Sequence, residues 1–227
     1  SPGVSKGSHF VSILQQEHPF ELSNFKFQRT SKGFKIATSN IEVLSIDLKA
    51  MAQDTLSEVY IDGDAIALAS RDKVYLSKAT NKWQITGKPD AFQKSPLRYG
   101  GFKDAFRNNM VFVYASKGSD EENEWYYNRA KFDAEKFWYR ANGNVELVKD
   151  SDFKLNDFKD QNIILYGNSS NNTAWKKLLK NSPIQVSKNK IELGTQTLRG
   201  SNYGTYFIYP KEGNSNTSIG VISATGI

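Results

Sequence analysis

The chain of 227 residues has no cysteine and only two histidines, His9 and His18. Without cysteine there are no disulfides, no thiolate metal sites and no cysteine nucleophile. Two imidazoles and no thiols fall short of the three or four ligands that zinc takes, so no metal site is expected. A Ser-His-acid triad would have to recruit one of those histidines. His9 lies in Ser8-His9-Phe10-Val11, which reads as an entering strand, and His18 precedes Pro19 in a turn. Both are expected in structural roles. The Gly-x-Ser-x-Gly pentapeptide that strains a serine nucleophile into position is missing too. Neither Gly-x-Gly-x-x-Gly nor a Walker pattern occurs, so nothing calls for a nucleotide cofactor. No apolar run approaches the ~20 residues that span a bilayer, and no membrane partner is expected. Together these gaps predict a chain with no catalytic residue, no metal and no cofactor of its own.

What is present suits a globular protein. Hydrophobic residues make up 38% of the chain and aromatics 13%, enough to fill one large core or two modest ones. The net charge of +6 is spread out. Residues 1–89 carry 11 Lys/Arg against 9 Asp/Glu, and residues 90–227 carry 19 against 15. Nucleic-acid binding needs basic charge gathered on one face, so no nucleic-acid partner is expected.

Two patterns divide the chain. Residues 8–86 read as short strands between turns. Phe34, Ile36 and Thr38 alternate with Lys35 and Ala37. Ile41 and Val43 keep one phase, while Leu44, Ile46 and Leu48 take the other, which predicts a bulge near 43–44. Asp62-Gly63 and Thr80-Asn81 are hairpin signals. This spacing predicts an immunoglobulin-like β-sandwich over residues 1–88. Pro89, Pro96 and Gly100-Gly101 punctuate a linker over 89–108. From 109 onward β and α alternate. Residues 110–114 and 162–166 are continuous apolar runs, as in strands buried on both faces. Ser119 with Asp120, Glu121 and Glu122 opens a helix. Tyr126, Ala130, Ala134, Phe137 and Ala141 recur along it, and Gly143 stops it. Residues 145–148 form a short strand and 173–180 a short helix. Residues 184–186, 190–193, 205–209 and 219–223 are strand again. The prediction for 109–227 is a small α/β domain with a mostly parallel sheet and flanking helices.

Two loops stand out in that second part. Residues 115–119 and 167–173 each follow a buried strand and lead into a helix. In an open parallel sheet such loops meet at the carboxyl edge, where ligands bind. Ser116, Lys117, Ser119, Gly167, Asn168, Ser169 and Asn171 are the candidate ligand-binding residues, for an anion or small molecule held at helix N-termini. The ordinary reading of the same residues is helix caps and tight turns. Asp62-Gly63-Asp64 and Asp150-Ser151-Asp152 are oxygen-rich but lack EF-hand spacing, and they read as turns. Trp125, Phe132 and Tyr139 stand seven apart on the long helix, spaced to cover a neighbouring segment or domain or to stack on carbohydrate.

Several strings carry a family resemblance: Phe102-Lys103-Asp104-Ala105-Phe106-Arg107, Val111-Phe112-Val113-Tyr114, Glu121-Glu122-Asn123, Asp133-Ala134-Glu135-Lys136-Phe137-Trp138-Tyr139-Arg140, and Asn162-Ile163-Ile164-Leu165-Tyr166-Gly167-Asn168. With the opening 8–11 and the closing 220–226, the chain resembles the non-catalytic region C-terminal to the catalytic domain of bacterial prolyl-oligopeptidase-like α/β-hydrolases. The resemblance implies a secreted or periplasmic parent acting as a peptidase or esterase. It implies a triad on an upstream catalytic domain of the same polypeptide, so no catalytic residue carries over to this chain. The expected function is an accessory region that packs beside the hydrolase domain and shapes substrate access. The alternatives are a glycan- or surface-binding module and a weak anion or small-molecule site at the two loops.

Overall fold

The structure is a computed structural model that describes residues 7–31, 33–51, 58–68, 72–96, 98, 100–107, 109–214 and 216–227. It is mostly β, 42% strand against 17% helix, so sheets carry the architecture. The chain divides into two compact units, Ser1–Tyr99 and Gly100–Ile227.

The first unit holds β1 (Gly7–Ser8), β2 (Val11–Gln15), β3 (Asn24–Arg29), β4 (Gly33–Ser39), β5 (Val43–Asp47), β6 (Glu58–Ile61), β7 (Asp64–Ala67), β8 (Lys73–Ala79) and β9 (Lys82–Thr86). One sheet runs β1-β2-β5-β8-β9 and the other β3-β4-β6-β7. Every pair is antiparallel except β4 with β6, which is parallel. Phe34, Ile36, Val59 and Ile61 from one sheet share a core with Leu44, Ile46, Leu76 and Trp83 from the other. Asp62 and Gly63, and likewise Thr80 and Asn81, all have positive φ. That is the turn whose twist matches a tight hairpin.

Two readings of this region are corrected. Residues 8–11 are a hairpin, not a continuous strand, because His9 adopts φ 52° and turns the chain between β1 and β2. The irregularity expected at 43–44 lies on the facing strand: Val43 pairs with Gln15 and Leu44 with Ile13, leaving Leu14 as the extra residue. The phase change along β5 has another cause. Val43, Leu44, Ser45 and Ile46 are all buried, and a strand covered on both faces loses its alternation.

The second unit begins earlier than 109. A 3-10 helix at Phe102–Phe106 buries Ala105 against the sheet of this unit, so residues 100–107 belong to it and are not linker. Then come β10 (Met110–Tyr114), α1 (Asp120–Ala141), β11 (Glu146–Lys149), a 3-10 helix at Leu155–Phe158, β12 (Asn162–Tyr166), α2 (Trp175–Leu179), β13 (Ile184–Ser187), β14 (Lys190–Leu193), β15 (Gln196–Arg199), β16 (Gly204–Pro210) and β17 (Ser218–Ala224). The main sheet has the order β11-β10-β12-β17-β16. Its first four strands are mutually parallel, and β16 is antiparallel to β17. β13, β14 and β15 form a separate antiparallel meander. Alternate residues of the central strands feed two cores. Phe112, Ile164, Tyr166 and Ile222 meet Tyr126 and Ala130 of α1. Val111, Val113, Leu165 and Val221 meet Trp175, Leu178, Val186 and Ile191 on the opposite face. The helix expected over 173–180 shortens to five residues, Trp175–Leu179.

Candidate functional site

From β10 the chain passes through α1 to β11 on one side, then crosses back to β12 on the other. The winding direction reverses between β10 and β12, and the carboxyl end of that reversal is the usual ligand position of an open parallel sheet. The two candidate loops leave from there. The structure brings them together: the Lys117 N–H donates to the Asn171 carbonyl at 2.9 Å, and the Ala115 N–H to the Tyr166 carbonyl at 2.9 Å. Ser116, Lys117, Ser119, Gly167, Asn168, Ser169 and Asn171 therefore line one stretch of the sheet edge.

Most of their backbone donors are turned on the chain's own acceptors, while the buried Asn171 Nδ2 has no hydrogen-bond partner among the described residues. Ser119 forms a capping box at the start of α1: its N–H donates to the Glu122 carboxylate at 2.8 Å and its Oγ accepts from the Glu122 N–H at 3.3 Å. The Gly118 N–H donates to Asn123 Oδ1 at 2.9 Å. In the second loop the Gly167 N–H reaches the Ile222 carbonyl, and Ser169 N–H the Val186 carbonyl. The Asn168 N–H donates to Asn171 Oδ1 at 2.8 Å, and Ser170 N–H to Asn168 Oδ1 at 2.8 Å. The N–H groups of Asn171 and Asn172 share the Asn168 carbonyl. Asn172 Nδ2 holds the Tyr166 carbonyl at 2.9 Å. Buried asparagines thus do here what a bound ligand does elsewhere: they satisfy loop backbone.

Asp150 completes the lock. It accepts from Ser116 Oγ and from the Thr173 N–H, while its carbonyl accepts from Thr173 Oγ1 at 3.1 Å. It is 2% exposed, where the sequence reads only as an ordinary turn. Its one visible signal was its place directly after β11, which puts it on the same sheet edge. Glu122 carries negative charge to the same place. The Ser119 N–H holds its carboxyl below the usual carboxylate range, against the opposing effect of burial, with Lys188 helping at 3.4 Å. Glu122 and Asp150 thus set two carboxylates beside the candidate loops, with Lys188 paired to the first. Helix α2, at five residues and with no side-chain cap, adds little dipole.

Asp62 and Asp64, also weighed from sequence, are hydrogen-bonded within the first unit. Asp62 accepts from Thr38 N–H and Oγ1 and from Trp83 Nε1, and Asp64 from the Trp83 N–H, so both carboxylates bind strands together. Burial raises the Asp62 carboxyl, but these donors and Lys78 bring it below its ordinary value. His9 is exposed with Nδ1 3.0 Å from Ser8 Oγ, and the His18 backbone is bracketed by the Asn40 side chain. Among the described residues no three His, Asp or Glu gather as a metal site, and no helix is long and apolar enough to cross a membrane.

Comparison with protein-family models, with curated proteins and with solved structures finds no match.

Proposed function

We propose that this chain is a non-catalytic accessory region of a secreted or periplasmic bacterial serine hydrolase, a peptidase or esterase. In this reading the first unit is an immunoglobulin-like β-sandwich. The second is a small α/β domain with a mostly parallel sheet. The two facing sheets of the first unit support that assignment, and the parallel β4–β6 pair departs from the all-antiparallel form. The parallel register of β10, β11, β12 and β17 supports the second. The partner is an upstream catalytic domain of the same polypeptide, beside which these units shape substrate access.

The observation that carries the proposal is the filled carboxyl edge. Asp150, Glu122, Asn168, Asn171 and Asn172 hold the backbone groups that an α/β enzyme keeps for its ligand. A module built this way supports a neighbour better than it turns over a substrate. The test has two arms. The reading frame ahead of Ser1 is expected to encode a Gly-x-Ser-x-Gly motif, and the chain alone is expected neither to hydrolyse p-nitrophenyl acetate or prolyl peptides nor to react with a fluorophosphonate. A frame without that motif, or turnover blocked by the fluorophosphonate, overturns the proposal.

One observation favours a second reading, a carbohydrate-binding module. Trp125, Phe132 and Tyr139 are 41%, 47% and 83% exposed along one stripe of α1, and planar exposed rings stack on sugars. Affinity electrophoresis through polysaccharide gels tests it. Retardation lost in Trp125→Ala and Tyr139→Ala supports this reading, and unretarded migration in every gel removes it.

A further inference from the structure

The face of the second unit's sheet that carries α1 is incompletely covered. Between α1, the 3-10 helix at Phe102–Phe106 and the β16–β17 pair lies an open cleft of about 310 Å³, at the small end of ligand-pocket sizes. Phe102, Phe106, Tyr206 and Ile222 are apolar lining on one side, and Phe137 and Ala141 of α1 on the other. Phe102 packs edge-on against both Phe106 and Tyr206, with centroids 5.7 and 5.8 Å apart, so that surface is a braced aromatic wall.

The facing wall, on α1, sets charged side chains beside Phe137 and Ala141. Arg129, Asp133, Lys136 and Arg140 recur at helical spacing on one side of α1, and all four line the cleft. Asp133 is already committed. One of its oxygens takes Arg129 Nε at 3.0 Å and the buried Tyr166 hydroxyl at 3.2 Å. That ties Arg129 in place through its Nε alone. A guanidinium has five N–H donors, so the two Nη groups are left over among the described residues. Lys136 lies 4.3 Å from the Phe132 ring centroid. Arg140 makes no ion pair among the described residues. The helix C-terminus accounts for a cation at 140, but not for those at 129 and 136. Three cations against one carboxylate leave a net charge of +2 on the wall that faces Phe102, Phe106 and Tyr206.

We propose that this cleft binds a carboxylate carried on an apolar, preferably aromatic, body. The carboxylate pairs with Arg140, while Lys136 and the Arg129 Nη groups add positive charge to the same wall, and the body lies on Phe102, Phe106 and Tyr206. None of the seven candidate loop residues lines the cleft, and the proposal does not depend on the hydrolase reading. A peptide's C-terminal end and a free aryl acid share this chemistry.

The test is a titration of the whole 227-residue chain followed by amide NMR. The probes are N-acetyl-phenylalanine, its neutral amide, 3-phenylpropionate and inorganic phosphate. Both carboxylates are expected to shift amides of Ala105, 129–140 and Tyr206 and to bind at least tenfold more tightly than the amide or phosphate. Arg140→Gln and Lys136→Gln, each on the exposed rim, are expected to weaken binding about fivefold or more with an unchanged spectrum elsewhere. Tighter binding of N-acetyl-phenylalanine assigns the site to peptide ends, and tighter binding of 3-phenylpropionate to free aryl acids. Equal affinity for acid and amide, equal affinity for phosphate, shifts confined to other residues, or affinity untouched in a folded Arg140→Gln or Lys136→Gln variant would overturn the assignment.

Discussion

Lys211 is 2% exposed, with its ammonium donating to the carbonyls of Phe158, Lys159 and Gln161. Three donors meet three acceptors, which ties the end of β16 to the turn before β12. Burial pushes the ammonium down to about 8, with Asp160 opposing. Its folded value is therefore below the unfolded one, near 10.4. The unfolded chain binds the proton more tightly, so the penalty is full below about pH 8 and is relieved as pH rises toward 10.4. Lys211→Met removes this dependence and strands three carbonyls, at about 2 kcal/mol. Urea unfolding at pH 7.5 and pH 10 is expected to show the wild type gaining on Lys211→Met at the higher pH; parallel behaviour would refute it. Gly167 makes a different point. Sequence reasoning gave it to a ligand, yet its φ is +130° and an added Cβ would lie 2.8 Å from Ala115 Cβ and 2.9 Å from Asn171 Oδ1. The missing side chain makes room for the chain itself. Gly167→Ala is expected to destabilise the second unit by about 2 kcal/mol, from strain and overlap together, as read from the shift of its urea midpoint.

Helix α1 shows at element scale what was legible and what was not. Its start is readable, because a capping Ser followed by three acids suits a helix N-terminus, and the structure adds a reciprocal capping box between Ser119 and Glu122. Ser119→Ala is expected to cost about 1 kcal/mol. Glu122 adds a pH term. Its carboxyl is held low by the Ser119 N–H, so the stabilisation is present above the usual Glu value and is lost as pH falls through the depressed one. Glu122→Gln should flatten the acid limb of a stability–pH curve measured between pH 5 and 3, and an unchanged limb would exclude this role. The helix end was misassigned. Asn142, not Gly143, takes the left-handed turn at φ 50°, and Gly143 is needed because a Cβ there would lie 2.1 Å from the Phe137 ring. Close packing of that kind has no local sequence signature. Strand β15 was missed for the opposite reason. All four of its residues are exposed, so no alternation marks it, and only pairing with β14 makes it a strand.

At the scale of the whole molecule, the change from strand-only to alternating patterning at about 89–108 was legible because the two periodicities differ. The position of the division within that stretch was not, since the 3-10 helix is too short to set a period. The described cores fix it physically. The buried cluster of the first unit runs from Val11 to Trp83, and both clusters of the second draw on residues from Ala105 onward. Each unit thus holds the apolar contacts it needs to fold. Asn162, 1% exposed, ties the 3-10 helix to the sheet: its Nδ2 donates to the carbonyls of Asp104 and Arg107, and its Oδ1 accepts from the Ser218 N–H at 2.8 Å. Cutting at 109, where the sequence pattern changes, would strand that amide inside the unit and strip Phe102, Ala105 and Phe106 from the core of α1. Removing Ala105 with the partly buried rings of Phe102 and Phe106, and leaving a buried amide unpaired, together cost about 3 kcal/mol, a large part of a domain's stability. Residues 100–227 expressed alone are therefore expected to fold, with one cooperative urea transition and amide signals that overlay those of the whole chain. Residues 109–227 are expected to unfold at clearly lower urea or to precipitate. Equal midpoints for the two fragments would show that the 3-10 helix is dispensable, and failure of the longer one to fold would show that the second unit depends on the first.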